Sequence, residues 1–153
     1  MDNLELAHQH REKVLPTKRE DYRYFTSIQT RWMDNDSYGH VNNVVYYSFF
    51  DTAVNGWLME ATGQDIRQFP AIGVVAETSC RFFSEISFPD ALDAGLRIER
   101  LGKSSIVYRI GLFRGAARDA CAAGRFVHVY VDAVTRKPVP IPEAIRVVAA
   151  TLV

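Results

Sequence analysis

The chain has 153 residues, a formal net charge of zero and a hydrophobic share of 48 %, with aromatics at 12 %. That size and content suit one domain with a full core and exclude a disordered chain. The balanced charge removes any bulk pull toward nucleic acid or an anionic membrane surface, and no stretch approaches the ~18 apolar residues of a membrane span.

Residues 1–21 are polar and charged, are interrupted by Pro16, and hold no apolar run suited to a signal peptide. They read as an N-terminal arm, loosely ordered or laid against a neighbouring subunit, before a single domain over 22–153. From Tyr22 to Trp32 the pattern has period two: Tyr24, Thr26, Ile28, Thr30 and Trp32 oppose Arg23, Gln29 and Arg31, which predicts a first strand. Ser37, Tyr38 and Gly39 break it, and Asn42 can cap a helix starting just after it. Asn43 to about Thr62 has no proline and is apolar apart from a narrow stripe through Ser48, Asp51, Thr52, Asn55 and Glu60. This predicts a long helix buried on most sides and stopped by Gly63.

Four more strands follow by alternation. The first, over 74–86, sets Val74, Ala76, Thr78, Cys80 and Phe82 against Val75, Glu77, Ser79, Arg81 and Phe83. The others centre on Leu92–Glu99, Ile106–Phe113 and Phe126–Ala133, with hairpin-sized links at Pro89-Asp90, Gly102-Lys103 and 115–124. PEAIRVVAATL closes the chain as a short helix opened by Pro142. Short links mean antiparallel neighbours, so the fold class is α+β: a five-stranded antiparallel sheet curled around one long helix. Any helix surface left uncovered favours a partner subunit. The two cysteines, Cys80 and Cys121, form no CxxC pair and read as reduced thiols of a soluble cytoplasmic protein.

The chemistry concentrates in WMDNDSYGHVNN, residues 32–43, directly before the apolar helix. An EF-hand is excluded because loop position 12 is Val45 where a bidentate glutamate is required. His40 alone supplies too little imidazole for a transition metal, so no metal is expected. Two readings remain. Asp36, Ser37 and Asn42 can simply satisfy the free amides of the helix start. Alternatively, those amides and the positive dipole end stabilise an oxyanion, with the Asn43 N–H as donor and Asp36 as nucleophile or general base. Val41, Tyr46 and Tyr47 would wall such a site and desolvate the carboxylate.

DNDSYGHVNNVVYYSFF, residues 34–50, resembles the signature of hotdog-fold acyl-CoA thioesterases, the group that includes 4-hydroxybenzoyl-CoA thioesterase. The resemblance covers about residues 22–140. It implies a hotdog fold, hydrolysis of an acyl-CoA to free coenzyme A and a carboxylic acid, no cofactor beyond the substrate's own coenzyme A, and a homodimer or homotetramer with sites at the dimer interface. By position it assigns the catalytic carboxylate to Asp36 and the oxyanion amide to Asn43. HVNN is also similar to plant acyl-carrier-protein thioesterases, but Tyr38 stands where their D-x-N-x-H has asparagine. His40 can therefore orient Asp36, cap the helix or transfer protons. Lys103, Ser104 and Ser105 match the family's coenzyme A loop, or form a solvated turn. Glu77 is a second carboxylate facing the site from a partner or an exposed strand position, with Arg81 as its ion-pair partner or a phosphate ligand. Tyr46 and Tyr47 can line the acyl pocket, and His128 reads as structural. Two other functions share the pattern: a hydratase or dehydratase of acyl thioesters, and a non-catalytic acyl-CoA binder.

Overall fold

In the computed structural model, which describes residues 14–153, five strands and two helices form one layered unit. The strands are β1 (Tyr24–Gln29), β2 (Ala71–Phe82), β3 (Ala91–Leu101), β4 (Ser105–Arg114) and β5 (Ala122–Asp132); the helices are α1 (Val45–Thr62) and α2 (Glu143–Ala149). The sheet is antiparallel in the order β1-β3-β4-β5-β2, the hotdog arrangement of a sheet wrapped on one long helix. No described helix is long and apolar enough to cross a membrane.

The helix is fixed by spacing. Tyr46, Phe49, Phe50, Ala53, Val54, Trp57 and Leu58 recur at three- and four-residue steps and are all buried. They meet Leu92, Leu96, Ile98, Ile106, Tyr108, Ile110 and Leu112 of the inner sheet face in one core. Contact is closest at Gly124, where a Cβ would lie 2.3 Å from the Phe50 ring. The open side of the helix is the polar stripe read from the sequence, with Ser48, Asp51 and Thr52 exposed together with Gly56. Gly63 ends α1 in the left-handed region at φ 65°, its N–H donating to the Met59 carbonyl at 3.0 Å.

Two boundaries differ from the sequence reading. β1 stops at Gln29, and Trp32, expected on its inner face, instead opens a 3₁₀ turn and is exposed. β2 begins at Ala71 and carries a bulge at Ala76: Val75 pairs with His128, and Glu77 with Val127. The extra residue reverses the alternation. Gly73 and Val75 face the helix before it, then Thr78, Cys80 and Phe82 after it, so Val74 and Ala76 do not join that face.

Residues 1–13 of the expected arm lie outside the described residues. Its remaining part, 14–21, runs over the outer face of its own sheet. Lys18 pairs with Asp119 at 2.5 Å and Arg19 with Asp93 at 2.8 Å, the Arg19 guanidinium lying over the rings of Phe25 and Phe113.

Candidate active site

The polar cluster is a compact loop between β1 and α1, and its two aspartates have different tasks. Asp34 is 1 % exposed. Its carboxylate accepts the Arg31 backbone N–H at 2.7 Å and the Arg31 guanidinium at 2.8 and 3.1 Å, while its carbonyl accepts the Asn42 N–H at 2.9 Å. Asp34 therefore anchors the loop. Asp36 is half-buried. Its Oδ1 accepts the Tyr38 N–H at 2.8 Å and its own N–H donates to the His40 carbonyl at 2.9 Å. Gly39, at φ 84°, provides the left-handed residue that this tight return needs. Val41 then donates to the Ile86 carbonyl at 2.7 Å, tying the loop to the segment after β2.

The entry to α1 decides which amides remain free. The first helical residue is Val45, two later than the sequence suggests. Asn42 takes both groups next in line: its side-chain oxygen accepts the Val44 N–H at 3.2 Å and its carbonyl the Val45 N–H at 2.9 Å. The intervening Asn43 N–H has no hydrogen-bond partner among the described residues. Asn43 is exposed and borders a cavity of about 280 Å³ walled by His40, Val41, Tyr46, Phe82, Phe83, Ser84 and Glu85. Burial pushes the Tyr46 hydroxyl up to about 12, so at neutral pH it is a neutral wall and hydrogen-bond donor. Tyr46 also meets Phe82 edge-on at 4.9 Å between centroids.

The structure thus gathers His40, Asn43 and Tyr46 around one hollow, with Asp36 on the adjoining loop but outside the cavity wall. Glu85, which the sequence reading passed over, joins them through a 2.9 Å contact to His40 Nε2. The sequence reading runs the strand to residue 86, whereas β2 ends at Phe82 and leaves Glu85 in the segment after it. Tyr47 turns away and packs on Phe50. Glu77 and Arg81 lie on the outer sheet face. Glu77 pairs with Arg125 at 2.5 Å, so the expected ion pair with Arg81 is corrected: cross-strand register sets Glu77 beside strand β5. Arg81 lines a separate outer groove with Arg97, Arg109 and Arg125. Lys103, Ser104 and Ser105 sit at the β3–β4 hairpin, the opposite end of β3 from the polar loop. There the Tyr130 N–H donates to the Ser104 carbonyl at 2.7 Å and the Arg146 guanidinium to the carbonyls of Gly102 and Lys103 at 2.7 and 3.1 Å. At ~3.3 Å per residue, the eleven residues of β3 separate that hairpin from the helix tip by ~30 Å within one chain.

A family model described as the thioesterase-like superfamily matches residues 30–148, a span that includes the loop, the helix and the last four strands. The chain belongs to the thioesterase-like superfamily. Membership makes it a thioester hydrolase by class, and the fold agrees. The crystal structure of the PA5185 protein from Pseudomonas aeruginosa is 51 % identical, with a TM-score of 0.87 over 90 % of this chain and 96 % of that one. BH1999, a gentisyl-coenzyme A thioesterase, shares the fold at 21 % identity and a TM-score of 0.73, over 82 % of this chain and 99 % of that one. So does the SAV2348 protein from Staphylococcus aureus, solved in complex with CoA, at 15 % identity and a TM-score of 0.75, over 91 % and 85 %. No curated protein matches the chain.

Proposed function

We propose that this superfamily member hydrolyses acyl-CoA thioesters at the tip of α1, with the Asn43 amide holding the developing oxyanion and Asp36 as nucleophile or general base. The observation that carries the reading is the Asn43 N–H, unpartnered among the described residues, on the wall of this hollow. A thioester carbonyl seated there meets a preorganised donor and the positive end of the helix dipole, both of which act more strongly as charge builds on oxygen. Asp36 offers the second component, since Tyr38 engages only its Oδ1. His40, held by Glu85, is a positioning residue for the loop and a polar wall for the sulfur side. Hydrolysis of an activated ester needs water, a base and charge stabilisation, so the substrate's own coenzyme A is the sole cofactor-like group required.

A second copy of the chain completes the site. Among the described residues β2 pairs only with β5 and leaves a twelve-residue edge free, and Val75 and Phe82 stand 48 % and 50 % exposed beside it. An antiparallel β2–β2 junction across a two-fold axis covers that stripe. It also sets the Ala71 end of one chain, and with it the Lys103 hairpin, toward the helix tip of the other, where lysine and hydroxyls suit coenzyme A phosphates. The two free cysteines suit a reducing cytoplasm.

A panel of acyl-CoAs assayed with a thiol-detecting dye tests this reading on the wild type, Asp36→Ala and Asp36→Asn. Thiol release by the wild type and a loss of at least ~10³-fold in both variants are expected. No release from any acyl-CoA, double-bond chemistry in place of it, or near-full rates in Asp36→Ala would overturn it.

A further inference from the structure

The outer face of the sheet, turned away from α1, carries a groove of about 390 Å³. Tyr22 closes one end of it. The Tyr22 ring lies on Gly95 and Gly111, where a Cβ would come within 2.9 and 2.6 Å of it. Ala123, level with those glycines on β5, keeps the floor low. Two residues along, the same three strands carry arginine: Arg97 lies opposite Arg109, and Arg109 opposite Arg125. Arg81 joins them from β2, and no acidic side chain lines the groove. Like charges set directly opposite one another on a sheet cost stability, and only two of the four are offset. Glu77 pairs with Arg125 at 2.5 Å and Glu99 with Arg109, both from outside the groove. Arg81 and Arg97 have no ion-pair partner among the described residues, although Arg97 also borders a smaller hollow with Glu20 and Asp21.

A concave site lined by one sign of charge focuses its field on an incoming counter-ion, here an anion. Guanidinium forks take phosphate oxygens two at a time, and at ~4.8 Å per strand the row spans ~10 Å. A single phosphate meets part of that row, whereas a diphosphate engages neighbouring forks together. Ser79, opposite Arg125, adds a hydroxyl, and the apolar rim of Val14, Leu15 and Phe83 can cover an organic group attached to the phosphates. We propose that this groove is a second binding site, separate from the helix tip, for a diphosphate group, either free or carried by a nucleotide. Its occupancy does not depend on the hydrolysis assigned to the helix tip. Phe83 borders both hollows, so the rival occupant is the diphosphate of the acyl-CoA substrate itself.

Titration calorimetry of the full-length protein with inorganic diphosphate, ADP and inorganic phosphate needs no turnover. Diphosphate and ADP should each bind saturably and at least about tenfold more tightly than phosphate, and Arg97→Gln should weaken both by about tenfold or more. Losing Arg97 strands no carboxylate and relieves the charge opposite Arg109, so the thermal midpoint should not fall. Arg81→Gln, which also removes an arginine without an ion-pair partner, should repeat the weakening. Tighter binding of ADP than of diphosphate assigns the groove to a nucleotide, and equal binding to the phosphate chain alone. No binding of either, or affinities no better than that of phosphate, overturns the proposal. So does binding that survives both arginine variants and disappears in Lys103→Ala. Thiol release supplies the remaining control. A KM for acyl-CoA that rises in Arg97→Gln as far as ADP affinity falls would put coenzyme A in the groove and overturn the proposal. If no acyl-CoA releases thiol at all, the hydrolase assignment fails while the diphosphate site stands on the calorimetry.

Discussion

Asp34 and Asp36 look interchangeable in DND, yet one is a buried strut and the other a half-buried acid with a free oxygen. The difference comes from Arg31, which folds back on Asp34 across a 3₁₀ turn that period-two alternation hides. Asp34→Ala should loosen the loop and cost about 2 kcal/mol, a figure held down because the Arg31 side chain is largely exposed and keeps its water. Chemical denaturation measures it. Activity should fall with it although Asp36 is untouched. His128 gives a second prediction at this scale. Its folded value of about 4 lies below the ordinary 6.5, so the unfolded chain binds the proton more readily. The stability gained by keeping the ring neutral is fully present above pH 6.5 and declines as pH falls toward 4. The whole effect is on the order of 3 kcal/mol. Denaturation midpoints from pH 7.5 to 4.5 should therefore slope less in His128→Leu than in the wild type. Parallel slopes would show that the imidazole is protonated without penalty.

At the scale of elements, alternation located β4 and β5, and also β3, whose register shift between Ile98 and Arg100 falls at the end of the alternating stretch. It failed on β2 because one extra residue, Ala76, reverses the face, and a bulge leaves no mark in composition. The long helix was legible from its apolar spacing, but the position of its first turn was not. That depended on whether Asn42 or Asn43 supplied the turn, two adjacent residues of one type. The same start decides the candidate site, since Asn42 uses the Val44 and Val45 amides and leaves that of Asn43. The packing of α1 on β5 depends on a glycine that no periodicity identifies. At Gly124 the Phe50 ring occupies the place of a side chain. Gly124→Ala should therefore push the helix outward and destabilise the fold by about 2 kcal/mol, typical of overpacking a filled core. Thermal unfolding by circular dichroism tests this, and an unchanged midpoint would mean that Phe50 can swing aside at no cost.

At the scale of the whole molecule, the residues picked from the sequence divide between two ends of one chain. Asp36, His40, Asn43 and Tyr46 gather at the helix tip, while Lys103, Ser104 and Ser105 lie ~30 Å away at a hairpin. A linear motif cannot reveal that division, and in the proposed assembly it is pairing of the β2 edges that brings one end toward the other. The proposed arrangement ties activity to oligomeric state. Val75 faces the helix side of β2, half-exposed beside the unpaired edge, and contributes no wall to the helix-tip cavity. A lysine there places a charge in the proposed junction without removing core volume. Val75→Lys should therefore shift the protein to a single copy at micromolar concentration by sedimentation, with far-ultraviolet circular dichroism retained. Thiol release should fall by about a hundredfold or more, because the helix tip then lacks its opposite wall. A monomeric variant with full activity would show that one chain holds a complete site and that the Lys103 hairpin has no part in it.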